Sequence, residues 1–97
     1  MTSRVSTPGE VQGGFQGEIP AVEPLLAEVI VTLALAAHEY LTGRDGREPD
    51  PAAAEVAIDV AGAAFERVKE RLGPEERLAI TQMLTETRMT FVRKRGT

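Results

Sequence analysis

The segment DPAAAEVAIDVAGAAFERVKERLGPEE, residues 50–76, settles the class of fold. Within it Ala54, Ile58, Ala61, Phe65, Val68 and Leu72 recur at alternating spacings of four and three, the seam of a coiled-coil-like helix contact. Asp50 stands as an N-cap before Pro51, whose fixed φ suits the first helical position. A helix over 51–72 follows. Gly73 can take the left-handed conformation that stops it, and Pro74, Glu75 and Glu76 start another helix, the two acids complementing its N-terminal dipole. The expected result is a tight helical hairpin.

Outward from this hairpin the same logic predicts two further pieces. Downstream, a helix over 74–95 places Ile80, Met83, Leu84, Thr87 and Phe91 on one side, and Leu78, Met89 and Val92 with Thr81 and Thr85 on another. Upstream, TGRDGREPD (42–50) is a turn-rich loop that closes a helix over 23–41, with Pro24 in its first turn. On that helix Leu25, Leu26, Val29, Leu33, Ala36 and Tyr40 project to one face. Ile30, Ala34, Val31 and Leu35 continue around the back, which leaves Glu28, Thr32 and Glu39 as a narrow polar strip. Residues 1–20, rich in Gly, Pro, Ser and Gln, cannot bury enough surface to offset the entropy of ordering and are expected to form a flexible arm. Val11, Phe15 and Ile19, four apart, could dock that arm on a partner. The predicted architecture is all-α: an arm over 1–20 and a three-helix domain over 21–97, completed by oligomerisation.

Composition bounds the function. Ninety-seven residues make one domain. Hydrophobic residues are 42% of the chain but aromatics only 4%, so Leu, Val, Ile and Ala must build the core. A formal net charge of -4 and a pI near 5.0 argue against non-specific nucleic-acid binding, which needs a basic surface. Zero cysteines exclude disulfides, thiolate zinc sites and a cysteine nucleophile. The start of the chain has no basic, apolar leader, and the longest run free of charge and histidine, Val29 to Ala37, is about half a membrane span. A cytoplasmic protein with no membrane segment is expected.

In a three-helix monomer each helix needs one apolar sector, yet the first and third carry two while the second has one principal seam. Leaving the extra sectors in water forgoes roughly 1.5 to 3 kcal/mol for each side chain that could be fully buried. Self-association is therefore expected, with Val31, Leu35, His38, Leu78, Met89 and Val92 as the candidate interface.

Residues capable of chemistry do not converge. His38 is the single histidine, and Glu39 points about 100° away from it on a helix. Glu55, Asp59 and Glu66 share a helix face but lack the Glu-x-x-His of a metal-binding bundle, and read as a solvated acidic face. The glycines at 9, 13, 14 and 17 lack the strand, helix and Lys-Ser or Lys-Thr context of a phosphate loop. With one histidine and no glycine-flanked serine elbow, no hydrolytic triad forms. No catalytic residue, cofactor or metal is expected, and the chain reads as a non-enzymatic interaction or assembly module. Arg88, Arg93, Lys94 and Arg95 form a basic end that supports one alternative, an RNA-associated accessory protein, and a second alternative is a small enzyme or metal-binding helical protein with a cavity lined by Glu39, Tyr40 or His38. No interleaved aromatic platform accompanies those charges.

Leu41-Thr42-Gly43, Pro49-Asp50, Ala57-Ile58-Asp59, Lys69, Leu72-Gly73-Pro74-Glu75-Glu76 and the ending Leu84-Thr85-Glu86-Thr87-Arg88-Met89-Thr90-Phe91-Val92 together resemble the bacterial domain of unknown function 1844 family. The likeness runs from about Leu25 to Arg93, and its most specific part is an Arg-Met pair followed shortly by Phe-Val. The departures are the Ala-rich stretches and His38-Glu39-Tyr40 in the first helix. The resemblance implies a bacterial, cytoplasmic, helical protein and carries over no catalytic residues.

Overall fold

A computed structural model describes residues 17–95. Three helices, α1 (Val22–Thr42), α2 (Pro51–Val68) and α3 (Pro74–Arg95), make up the fold, with no strand among the described residues. Residues 1–16 of the expected arm, Val11 and Phe15 among them, lie outside the described residues, and Ile19 is exposed.

Two core clusters give the helix directions. Ile30 of α1 meets Ala61, Phe65, Val68 and Leu72 and, from α3, Ile80 and Leu84. Ala37 and Leu41 meet Ala54, Ala57 and Ile58, with Phe91 packed against them. The early halves of α1 and α3 thus share one cluster with the late half of α2, so the helices run up, down and up. The α2 seam read from the sequence is buried throughout.

On α1 the sequence leaves open which apolar sector faces the core. The fully buried row is not the face of Leu25, Val29 and Tyr40, although Leu26 and Leu33 of that face pack partly buried against the core clusters. The buried row is Ile30, Ala34, Ala37 and Leu41, while Val29 and Tyr40 are exposed. The cause is steric: Ala34 and Ala37 let α1 approach Ala54, Ala57 and Ala61 closely, where a row of Leu, Val and Tyr would hold the helices apart. Accordingly α1 packs more extensively on α2 than either does on α3.

The connections also refine the expectation. Gly43 ends α1 in the left-handed region (φ 61°), its N–H donating to the Glu39 carbonyl at 3.0 Å. Asp45 and Gly46 follow with positive φ, and the Asp50 N–H donates to the Tyr40 carbonyl at 2.7 Å, drawing the loop shut. Asp50 Oδ1 accepts from the Ala53 N–H at 3.1 Å, capping α2 above Pro51. A Cβ on Gly43 would lie 2.4 Å from Pro49 N and 2.7 Å from Arg47 O, both backbone atoms. Gly43→Ala is therefore expected to cost about 2 kcal/mol, from the left-handed penalty and the displaced 47–49 backbone. A fall in the urea midpoint at unchanged slope would show it.

The α2–α3 turn departs from the predicted glycine cap. The helix expected to reach Leu72 stops at Val68 and tightens into a 3-10 turn, Lys69–Arg71, and Leu72 is extended (φ -94°, ψ 152°). Gly73 is not among the positive-φ residues. The residue before a proline is disfavoured in the helical region, so the reversal is made one turn earlier, with Leu72 still buried. Arg71 Nε donates to Glu23 Oε2 at 2.9 Å, tying this turn to the start of α1. The Glu23 carboxyl is held below the usual carboxylate range by its own backbone N–H, against desolvation, and then by Arg71. A depressed carboxylate pKa means that this tie is present at neutral pH and fades as pH falls through the carboxylate range.

Candidate functional site

The feature that stands out is an apolar face along the α1–α2 pair. Leu33, Ala36 and Tyr40 of α1 and Ala53, Val56, Ala57 and Val60 of α2 line a shallow groove of about 370 Å³, with no α3 residue in its wall. Val29 and Val22 extend the α1 side at heptad-like spacings of seven and four. Val56 is 63% and Val60 49% exposed. The single seam assigned to α2 from the sequence is thus corrected: a second apolar row, two or three positions from the first, lies uncovered. In the sequence the alanines around Val56 and Val60 blur the two rows into one broad apolar arc.

The candidate interface residues do not form one patch. His38 is half-buried on the α3 side of α1, its Nε2 3.4 Å from Thr87 Oγ1. Thr87 is 0% exposed, and its hydroxyl donates to the Met83 carbonyl at 2.9 Å. His38 is a helix-packing residue here. Val31 and Leu35 are exposed beside it. Leu78, Met89 and Val92 are exposed along α3, and Val92 shares a cleft with Glu55, Ile58 and Asp59 of α2. One half of the set flanks the α1–α3 contact, and Val92 flanks the α2–α3 contact.

The basic residues are also divided. Arg88 turns away from the α3 end and lies over Gly62, where an added Cβ would be 2.4 Å from its Nη2. There it lines a cleft of about 320 Å³ with Asp59, Glu66, Thr81 and Thr85. Arg95 stacks on the Phe91 ring, 5.2 Å from its centroid, and Arg93 Nη2 donates to Thr90 Oγ1 at 3.2 Å. Lys94 lies between them in sequence, exposed. Phe91, the aromatic nearest the cations, is packed into the core on one side and covered by Arg95 on the other. Because the atoms over Gly62 are the far end of a flexible side chain, Gly62→Ala is expected to displace Arg88 and raise stability by about 1 kcal/mol through helix propensity. A lowered thermal midpoint would instead mean that the Arg88 seat contributes more than the propensity gain.

The polar residues weighed for chemistry stay apart. Glu39 is ion-paired with Arg44 and reaches Arg47 at 4.0 Å. Glu39 and Tyr40 line a depression with Gly43, Arg47, Glu48 and Asp50, without His38. Glu55, Asp59 and Glu66 are exposed, and no group of three metal-ligating side chains exists among the described residues.

Among the described residues α1 is the helix whose length and composition match a membrane span, 21 residues with a mean hydropathy of 1.5 over its most apolar window. Its buried row contributes to both core clusters. Comparison of the chain with protein-family models, with curated proteins and with solved structures returns no match.

Proposed function

We propose that this protein is a non-enzymatic assembly module that self-associates through its α1–α2 face. The observation that carries the reading is the uncovered row of Val56 and Val60 facing Leu33, Ala36 and Tyr40 across one apolar groove. The groove wall on α2 runs from Ala53 to Val60, about 12 Å of helix, which by two helix widths is a footprint of roughly 240 Å² on each copy, extended along α1 by Val29 and Val22. A two-fold pairing of α1–α2 faces buries the apolar rows of both copies and converts two three-helix units into a bundle with a second core.

The resemblance of residues 25–93 to the domain of unknown function 1844 family, which no family model matches, adds to this proposal only a bacterial, cytoplasmic setting and bears on neither self-association nor the α1–α2 face. α1 then serves as a core helix, since withdrawing it into a bilayer would strip Ala54, Ala57, Ala61 and Phe65 of their neighbours. Sedimentation equilibrium of the full chain at micromolar concentration is the test. A dimer dispersed by Val56→Glu and retained by Leu35→Glu supports the α1–α2 face. A monomer at all concentrations defeats the proposal, and a dimer dispersed by Leu35→Glu alone moves the interface to the α1–α3 side.

A further inference from the structure

Along α2 the uncovered apolar row runs past the groove, through Ala53, Val56, Val60 and Ala63 to Arg67, at spacings of three and four. Arg67 is the one charged residue of that row, exposed at its C-terminal end and without an ion pair within 4.0 Å among the described residues. The opposite end of the face is marked by Tyr40, which lines both the groove and a neighbouring depression. Glu48 lies in that depression, exposed and likewise unpaired among the described residues. The face is therefore apolar along its middle, with a cation at one end and a carboxylate at the other.

Two arrangements of a two-fold pair lay one such face on another. With the axis running along the helices, α1 of one copy meets α2 of the other and like ends coincide. The two loop ends, each with Asp45 and Glu48, then come together, and Arg67 lies over Val22 and Leu26 of the second copy, an apolar stretch where a cation loses water without gaining a partner. With the axis running across the helices, α2 meets α2 of the second copy antiparallel and opposite ends coincide. Each residue of α2 then faces the one equally far beyond the axis. An axis crossing α2 anywhere between Val56 and Val60 sets Arg67 against the 45–53 stretch of the second copy, which contains Glu48. Glu28 and Glu39 on α1 and Asp59 and Glu66 on α2 border the face in both arrangements, Glu39 and Glu66 already paired with Arg44 and Lys69 of their own chain, so the edges do not choose between them. The ends do, because complementary charge fixes register. We propose that, on the α1–α2 face inferred above to be the self-association surface, the second copy lies with its α2 antiparallel to the first, Arg67 of each copy pairing with Glu48 of the other.

The test uses the full chain, in sedimentation equilibrium and in cysteine cross-linking, which is unambiguous because the chain has no cysteine of its own. Arg67→Glu alone and Glu48→Arg alone are each expected to weaken association roughly tenfold, and the two changes in one chain to restore it. Both sites are exposed, so each variant keeps its helices and its far-ultraviolet circular dichroism. Val60→Cys, beside the axis, faces its own counterpart and is expected to give a disulfide-linked dimer under mild oxidation, lost when Val56→Glu is added. A dimer that Val56→Glu disperses, but that neither charge reversal weakens, would overturn this arrangement while leaving the α1–α2 face in place. So would a double reversal that fails to restore association, or a dimer in which Val60→Cys does not cross-link. A chain that is monomeric at every concentration removes the face and the arrangement together.

Discussion

Val56→Glu is expected to abolish the proposed self-association through the α1–α2 face while leaving the helices intact. Val56 is 63% exposed in the single chain, so a glutamate there meets water and costs the fold little. In a two-fold pair the same position lies in the apolar groove, and each interface would then contain two carboxylates, one from each copy. An ionised carboxylate without a partner in an apolar contact costs several kcal/mol or forces its own protonation. Association should therefore weaken by at least about 100-fold, near 2.7 kcal/mol. The signature is a concentration-independent monomer mass with an unchanged far-ultraviolet circular dichroism spectrum. Retention of the dimer would remove the α1–α2 face from consideration, because no arrangement that buries Val56 and Val60 tolerates that charge. Lowering the pH should partly restore association of the variant as the new carboxylate protonates, a readout that general unfolding does not produce.

Ile30→Ala is expected to be the most damaging single truncation within the fold. Ile30 is 0% exposed and is the α1 member of the cluster that joins Ala61, Phe65, Val68 and Leu72 to Ile80 and Leu84. Removing its outer carbons loses their transfer free energy and leaves a cavity bounded by all three helices, for a cost in the range of about 2–5 kcal/mol. In a domain of this size that lowers the thermal midpoint by roughly 10–40 °C. Leu35→Ala, a comparable truncation at an exposed site on the same helix, should change the midpoint little. Both are to be measured at one protein concentration, since any self-association of the kind proposed would stabilise the folded chain by mass action. Equal effects at the two positions would mean that α1 does not present its Ile30 row to the core.

How far the fold is legible in the sequence varies from helix to helix. On α2, Ile58, Phe65, Val68 and Leu72 are large and regularly spaced, so periodicity alone identifies the buried side. On α3, charged and hydroxyl residues separate Ile80, Leu84 and Thr87 from Leu78, Met89 and Val92, and both rows are readable. On α1 apolar residues cover all but the Glu28, Thr32 and Glu39 strip, and a hydrophobic pattern that wide contains no information about which part faces inward. Size broke the tie: the row of alanines permits the closest approach, and the bulkier Val29, Leu33 and Tyr40 row was left at the edge. The uncovered Val56 and Val60 row follows from that choice, because the α1–α2 crossing that buries Ala54, Ala57 and Ala61 turns it outward beside Tyr40.

Chain termination shows the same division. Asp50-Pro51 and Gly43 act through neighbours in the chain, and both do locally what their chemistry demands. Gly73 had the freedom to end α2, yet the following proline and the need to keep Leu72 in the core moved the reversal to Lys69–Arg71. What the sequence by itself determined was the all-α class, the three helices and their approximate ends, and the seam of α2, since these depend on spacings and caps within one element. Tertiary structure alone decided which side of α1 is core, where Arg88 lies, and that the open apolar surface belongs to α1 and α2 together, because each depends on how closely two helices can approach.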